Sequence, residues 1–145
     1  MRYFAFITLI SLLGTLTGCD RYLVTFNEQP VYTPPVLFTG YDINDPALRS
    51  CVAQTIVDAG IHRAKNLSGL NCSAAGIAQL DGLEIFGSLE TLILANNDII
   101  RIEPLLKMPS LITVDLTGNP SLDCTLINNL STRGIRITLP GHCQK

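Results

Sequence analysis

From Leu67 onward the chain repeats itself at a step of 22 residues, and this periodicity limits the fold more than any other feature. Leu67-Ser68-Gly69-Leu70-Asn71-Cys72 aligns without gaps with Leu89-Glu90-Thr91-Leu92-Ile93-Leu94, and that with Leu111-Ile112-Thr113-Val114-Asp115-Leu116. Behind each opening come further apolar stations: Ile77 and Ile99; then Leu80, Ile102 and Cys124; then Leu83, Leu105 and Ile127; then Phe86, Met108 and Leu130. Asn97 and Asn119 share one station, which Ala75 holds in the first unit. Leu-x-Leu alternation makes a short strand with one apolar side facing inward. The asparagine turns the chain, and its amide bonds backbone groups of the turn and of the adjacent coil. The remaining apolar stations fold back over the strand, and stacked units yield a parallel strand ladder.

This pattern resembles the leucine-rich repeat in its 22-residue form, and the resemblance covers residues 67–130. It implies an α/β solenoid: a short leucine-rich-repeat domain of three repeats with a parallel strand ladder. Such a stack exposes its core at both ends and must close them. Asp45-Pro46 is a helix start, an N-cap acceptor followed by proline at the first helical position. Leu48, Cys51, Val52, Thr55, Ile56 and Ala59 then recur at three- and four-residue spacing as one apolar face, and Gly60 follows as a C-cap. Residues 45–66 are therefore expected as an N-terminal cap. Residues 131–145 are expected as the C-terminal cap, with Gly134 to Pro140 as a last strand one residue out of register. Ala75 points to an irregular first coil that is capped differently.

Arg2 is the only charge before Asp20, and the run between them is apolar with small residues at its end. That is the layout of a secretory signal. It falls short of the roughly 20 residues that span a hydrocarbon core, so a slightly short membrane helix is the lesser alternative. Leu16-Thr17-Gly18-Cys19 resembles the lipobox of bacterial lipoproteins. The resemblance implies that residues 1–18 are removed and that Cys19 carries diacylglycerol and N-acyl (palmitate-type) chains. Two or three chains anchor far more firmly than one. Asp20 resembles the inner-membrane retention signal of enteric lipoproteins, which slightly favours the inner over the outer membrane. The implied location is the bacterial envelope, facing the periplasm.

Residues 19–44 hold Pro30, Pro34 and Pro35, with Phe26, Tyr32, Phe38 and Tyr41 among them. They are expected as a semi-rigid tether, reaching about 80 Å when extended. Four aromatics are many for a spacer. Packing of residues 22–26 or 36–38 on the domain as an extended strand therefore stays open.

The chain has five cysteines, and Cys19 as the anchor leaves four, which permit three connectivities. Bacterial lipoproteins with leucine-rich repeats carry segments similar to Asp45–Val52 and to the Cys124 and Cys143 neighbourhoods. That resemblance implies bridges Cys51–Cys72, pinning helix to first strand, and Cys124–Cys143, closing the other end. Buried free thiols are the alternative, above all for Cys72. A zinc site does not fit the pattern: there is no CxxC, and adjacent His142 and Cys143 cannot both readily ligate one ion alongside distant partners. His62, beside Arg63 and Lys65, is expected in solvent. The sequons at Asn66, Asn71 and Asn129 are ordinary repeat residues.

Charged residues make up only 15% of the chain and the net charge is −2, so no nucleic-acid footprint is present. Loss of residues 1–18 removes Arg2 and leaves −3. Catalysis needs an activated nucleophile, an acid–base pair or a metal. No such constellation appears, nor any cofactor beyond the lipid on Cys19. The outward strand positions are Gly69, Asn71, Ser73, Thr91, Ile93, Ala95, Thr113, Asp115 and Thr117. Among them Asn71, Thr91, Ile93, Thr113 and Asp115 are the candidate partner-binding face, with Ile93 its one exposed large apolar residue. The expected function is a membrane-anchored protein-binding module. The competing expectation is a structural lipoprotein acting through tether and cap in a larger complex.

Overall fold

The computed structural model describes residues 36–144, together with the backbone of Thr25–Phe26 and Gln29–Pro30. The signal segment 1–18, Cys19 and most of residues 20–35 lie outside the described residues. The chain divides into two units, Met1–Pro34 and Pro35–Lys145. In the first, strands β1 (Thr25–Phe26) and β2 (Gln29–Pro30) pair antiparallel. The second holds the repeats. Among the described residues no helix is long and apolar enough to cross a membrane.

Four strands, β3 (Gly69–Asn71), β4 (Thr91–Ile93), β5 (Thr113–Asp115) and β6 (Arg136–Thr138), form one parallel sheet in sequence order. Leu70, Leu92, Val114 and Ile137 stand in register across it. The one-residue slip falls between β5 and β6, after Gly134, which adopts φ +78°. Leu67, Leu89 and Leu111, and Cys72, Leu94 and Leu116, flank the central row, and all are buried. Fully burying each such leucine stabilises the fold by roughly 1.5–3 kcal/mol.

After each strand the chain folds back through a short helical turn. These are a 3-10 turn at Leu83–Ile85, helix α2 (Glu103–Leu106), and a 3-10 turn at Cys124–Leu126 that runs into α3 (Ile127–Ser131). Their apolar stations Leu80, Leu83, Phe86, Ile102, Leu105, Met108, Ile127 and Leu130 are buried. In the third unit Ser121 stands where Ile77 and Ile99 stand, and the neighbouring Leu122 fills the core instead.

The asparagines act backwards, on the preceding coil. Asn97 Oδ1 accepts the N–H groups of Ala75, Gly76 and Ile77 at 3.0, 3.0 and 3.1 Å. Its Nδ2 donates to the carbonyls of Cys72 and Leu94, both at 2.9 Å. Asn119 repeats this one coil later, accepting from Ile99 and donating to Leu94 and Leu116. Both are buried, so without these bonds the polar groups would be stranded away from water. The first coil has no predecessor, which accounts for Ala75.

Helix α1 spans Pro46–Asp58 and buries Leu48, Val52 and Ile56 in the same core. Asp45 caps it, with Oδ1 accepting from Ala47 and Leu48. Oδ2 of the same carboxylate accepts from Ala78 and Gln79 in the first coil. Burial opposes the charge, yet these four N–H groups outweigh it and hold the carboxyl below its ordinary value.

The distal part of the expected tether packs against the repeats. Ile43 is buried, Phe38 N–H donates to Ile61 O at 2.8 Å, and Phe38 and Tyr41 lie about Phe86 at centroid distances of 6.0 and 5.9 Å. Gly82, at φ +91°, lets the Asp42 carbonyl approach so closely that a Cβ would collide with it. Residues 36–44 thus belong to the folded unit, because three aromatic rings bury one another there.

Candidate binding face

Strand alternation turns Gly69 and Asn71, Thr91 and Ile93, Thr113 and Asp115, and Arg136 and Thr138 away from the core. Parallel register lines them up in two rows, Gly69–Thr91–Thr113–Arg136 and Asn71–Ile93–Asp115–Thr138. The five residues expected on this face are therefore brought together. Ile93 is half-buried between its neighbours, where the sequence reading had it exposed, because flanking strands stand on both sides of it. Ile112, just before β5, is the more open apolar residue at 47% exposure.

Two side chains on the face lock their own loops. Asn71 Oδ1 accepts from Ser73 N–H and Ser73 Oγ at 3.1 and 2.8 Å. Asp115 Oδ1 accepts from Thr117 N–H and Thr117 Oγ1 at 2.9 and 2.6 Å. Both side chains are thereby held in one geometry. Arg136 was missed by sequence reasoning because β6 slips out of the 22-residue count. Its Nη2 donates to Thr113 Oγ1 at 3.2 Å, placing a cation at the edge of the face. Arg-Ile-Thr around one inward isoleucine was the available signal. The ion pair found among the described residues, Lys107–Glu84 at 3.9 Å, lies elsewhere.

A separate depression of about 530 Å³ opens among the segments that follow the strands, lined by Gln79, Asp81, Ile100, Arg101 and Glu103. None of the face residues contributes to it.

Cys51 is bonded to Cys72 with Cα atoms 5.9 Å apart, and Cys124 to Cys143 at 5.5 Å. The first joins α1 to the residue after β3; the second joins the last full unit to the segment after β6. His142 lies with the second pair, one potential ligand atom from each of Cys124, His142 and Cys143 falling within 4.8 Å of the others. Sequence spacing argued against such a meeting. The fold produces it because the chain returns after β6 to the start of the third unit's helical turn. His62 is exposed, with Nδ1 3.0 Å from Val36 O.

Residues 87–132 match the family model described as Leucine Rich repeats (2 copies). No curated protein matches the sequence significantly. Residues 87–132 carry leucine-rich repeats, and with the four-stranded parallel sheet and the Cys124–Cys143 bridge they fit a leucine-rich-repeat type of α/β fold.

Proposed function

We propose that the chain is an envelope lipoprotein whose leucine-rich repeats bind a protein partner through the strand face. The observation that carries the binding half is the in-register row Asn71–Ile93–Asp115, beside Thr91 and Thr113, on three adjacent strands. One apolar side chain among small polar ones, with Arg136 at the edge, suits a protein surface. Sugar binding would call for aromatic platforms, and the face has none. In this function the chain performs no catalysis. α1 serves as the N-terminal cap of the solenoid, and the segment ending at Cys143 closes the other end.

The anchoring half rests on Leu16-Thr17-Gly18-Cys19 at the close of an apolar run. Cys19 carries the acyl chains, and the domain faces the periplasm. A photocrosslinker placed at Ile93 or Thr113 in cells is expected to yield a specific adduct; none at either position overturns the binding face. Cys19→Ala is expected to release the protein from the membrane fraction and abolish acyl labelling. Retention of both overturns the anchor.

A structural role for the tether is the competing function. Deleting residues 22–34 tests it cleanly, since this spares Phe38, Tyr41 and Ile43, which belong to the core. Loss of function with the face intact favours the structural role.

A further inference from the structure

We propose that two copies of this chain pair through the free edge of β6, antiparallel and about a two-fold axis at Ile137. In β6 the Arg136 N–H donates to Ile112 O, and Thr138 O accepts from the Leu116 N–H, both at 2.8 Å. Residues 136 and 138 thus turn their backbone groups to β5, and Ile137 turns its N–H and C=O the opposite way. No strand among the described residues stands on that side. The apolar row of the sheet is left open there too: Leu70, Leu92 and Val114 are buried, while Ile137 is half-buried. Sheet edges are commonly blunted by an inward charge, a proline or a covering segment. Ile135-Arg136-Ile137-Thr138-Leu139 sends only apolar side chains inward and holds no proline before Pro140.

The other end of the sheet cannot receive β6. There α1 lies against β3, bonded through Cys51–Cys72, with Cys51 Sγ 3.4 Å from the outward carbonyl oxygen of Asn71. Head-to-tail stacking is thereby blocked, and one free edge per chain closes in a two-fold pair. With Ile137 opposite the second copy's Ile137, the two exchange both N–H···O=C bonds, their Cα atoms about 5.5 Å apart. On either side the Leu139 N–H meets the second copy's Ile135 carbonyl, while Leu139 O keeps its bond from Gln144 Nε2. The apolar row then runs on through both isoleucines, which covers what β6 leaves half-exposed.

Charge complementarity favours a second copy of this chain as the occupant. Arg136 stands opposite the second copy's Thr138, as a non-hydrogen-bonded pair with Cα atoms about 4.5 Å apart. Thr138 is the register neighbour of Asp115. Arg136 therefore lies two strand spacings, about 10 Å, from the second copy's Asp115, within reach of an extended arginine and a carboxylate. In its own copy Arg136 donates to Thr113 Oγ1, an exposed bond it can exchange, and Asp115 engages Thr117 through Oδ1 alone. Two symmetric Arg136–Asp115 pairs form, and no like charges meet in these two rows. The pairing depends neither on the lipid anchor nor on another protein at the strand face.

The test uses the full chain on a Cys19→Ser background, which leaves no thiol outside the two bridges. Arg136→Cys and Thr138→Cys are made separately, carry different tags, and are oxidised together. The mixture is expected to form a mixed disulfide, because Cα atoms about 4.5 Å apart allow one. Either variant alone is expected to crosslink at least ~10-fold less, since residue 136 lies about 8 Å from its own counterpart, as does residue 138. In sedimentation, Arg136→Asp and Asp115→Arg are each expected to weaken the dimer at least ~10-fold, and the double exchange to restore it. A chain that sediments as a monomer throughout, or equal crosslinking in the mixture and in either variant alone, overturns the proposal. Single charge variants that associate like the parent, or a double exchange no better than the singles, do the same. So does an adduct of Thr138→Cys to a different protein in cells in place of the second copy.

Discussion

Asp45 and Ala78 are 33 residues apart in sequence, and Asp45 Oδ2 accepts the Ala78 N–H at 2.9 Å while Oδ1 caps α1. One carboxylate thus ties a helix start to the first coil of the repeats. Asp45→Ala removes a cap, worth about 1 kcal/mol, and orphans two further N–H groups in the coil. A loss of about 2–4 kcal/mol is expected in denaturant unfolding. The folded carboxyl lies below its ordinary value of 3.8, so the folded chain holds this proton more weakly than the unfolded one. The contribution of Asp45 is therefore complete above that ordinary value and is lost as pH falls through the lower folded value. Asp45→Asn is expected to flatten that acid limb; an unchanged limb would remove Asp45 from the linkage.

Asn97 and Ala75 occupy equivalent stations with unequal work. Asn97→Ala strands three N–H groups and loses two donated bonds, and a cost of about 3 kcal/mol or more is expected. Ala75→Asn has no earlier coil to serve and should change stability by less than about 0.5 kcal/mol. Thermal unfolding of the two variants checks this, and equal effects would show that the asparagines do not act backwards.

Ala74, Asn96 and Gly118 hold the same station of successive coils, all with positive φ. Asparagine and glycine tolerate that region, whereas alanine pays roughly 1–2 kcal/mol for it. Ala74→Gly, at φ 54°, is expected to raise stability by about 0.5–1 kcal/mol after the greater freedom of the unfolded chain is counted. Gly118→Ala should act in the opposite sense, since its Cβ would collide with the Asn96 side chain. Midpoints in urea distinguish the two.

Arg133 donates from Nη1 to the carbonyls of Leu105 and Leu106 and from Nη2 to that of Met108. It closes the end of α2 from the following coil, with the planar fork that lysine lacks. Arg133→Ala is expected to cost about 2 kcal/mol or more, and Arg133→Lys to recover only part. Full recovery by lysine would mean that charge alone suffices.

Much of the unit is legible in the sequence. The strand starts, the start of α1 at Asp45-Pro46 and the buried stations of each coil follow from apolar spacing. Spacing reports which side of an element is inward. It does not report what that side meets. Whether Phe38 and Tyr41 belong to a spacer or to the domain stays open in the sequence because their partner, Phe86, lies more than forty residues on. Arg136 escaped notice because one inserted residue before β6 defeats a fixed count.

The sequence by itself determined the repeat, its 22-residue step and the inward and outward sides of every strand, because periodic burial is local arithmetic on the chain. Only the tertiary structure decided which asparagine serves which coil and that Asp45 spans two elements. The same holds for the packing of residues 36–44 on the unit and for the meeting of Cys124, His142 and Cys143. Most of those contacts join residues from eighteen to nearly fifty positions apart, and their partners are set by how each coil closes over the last.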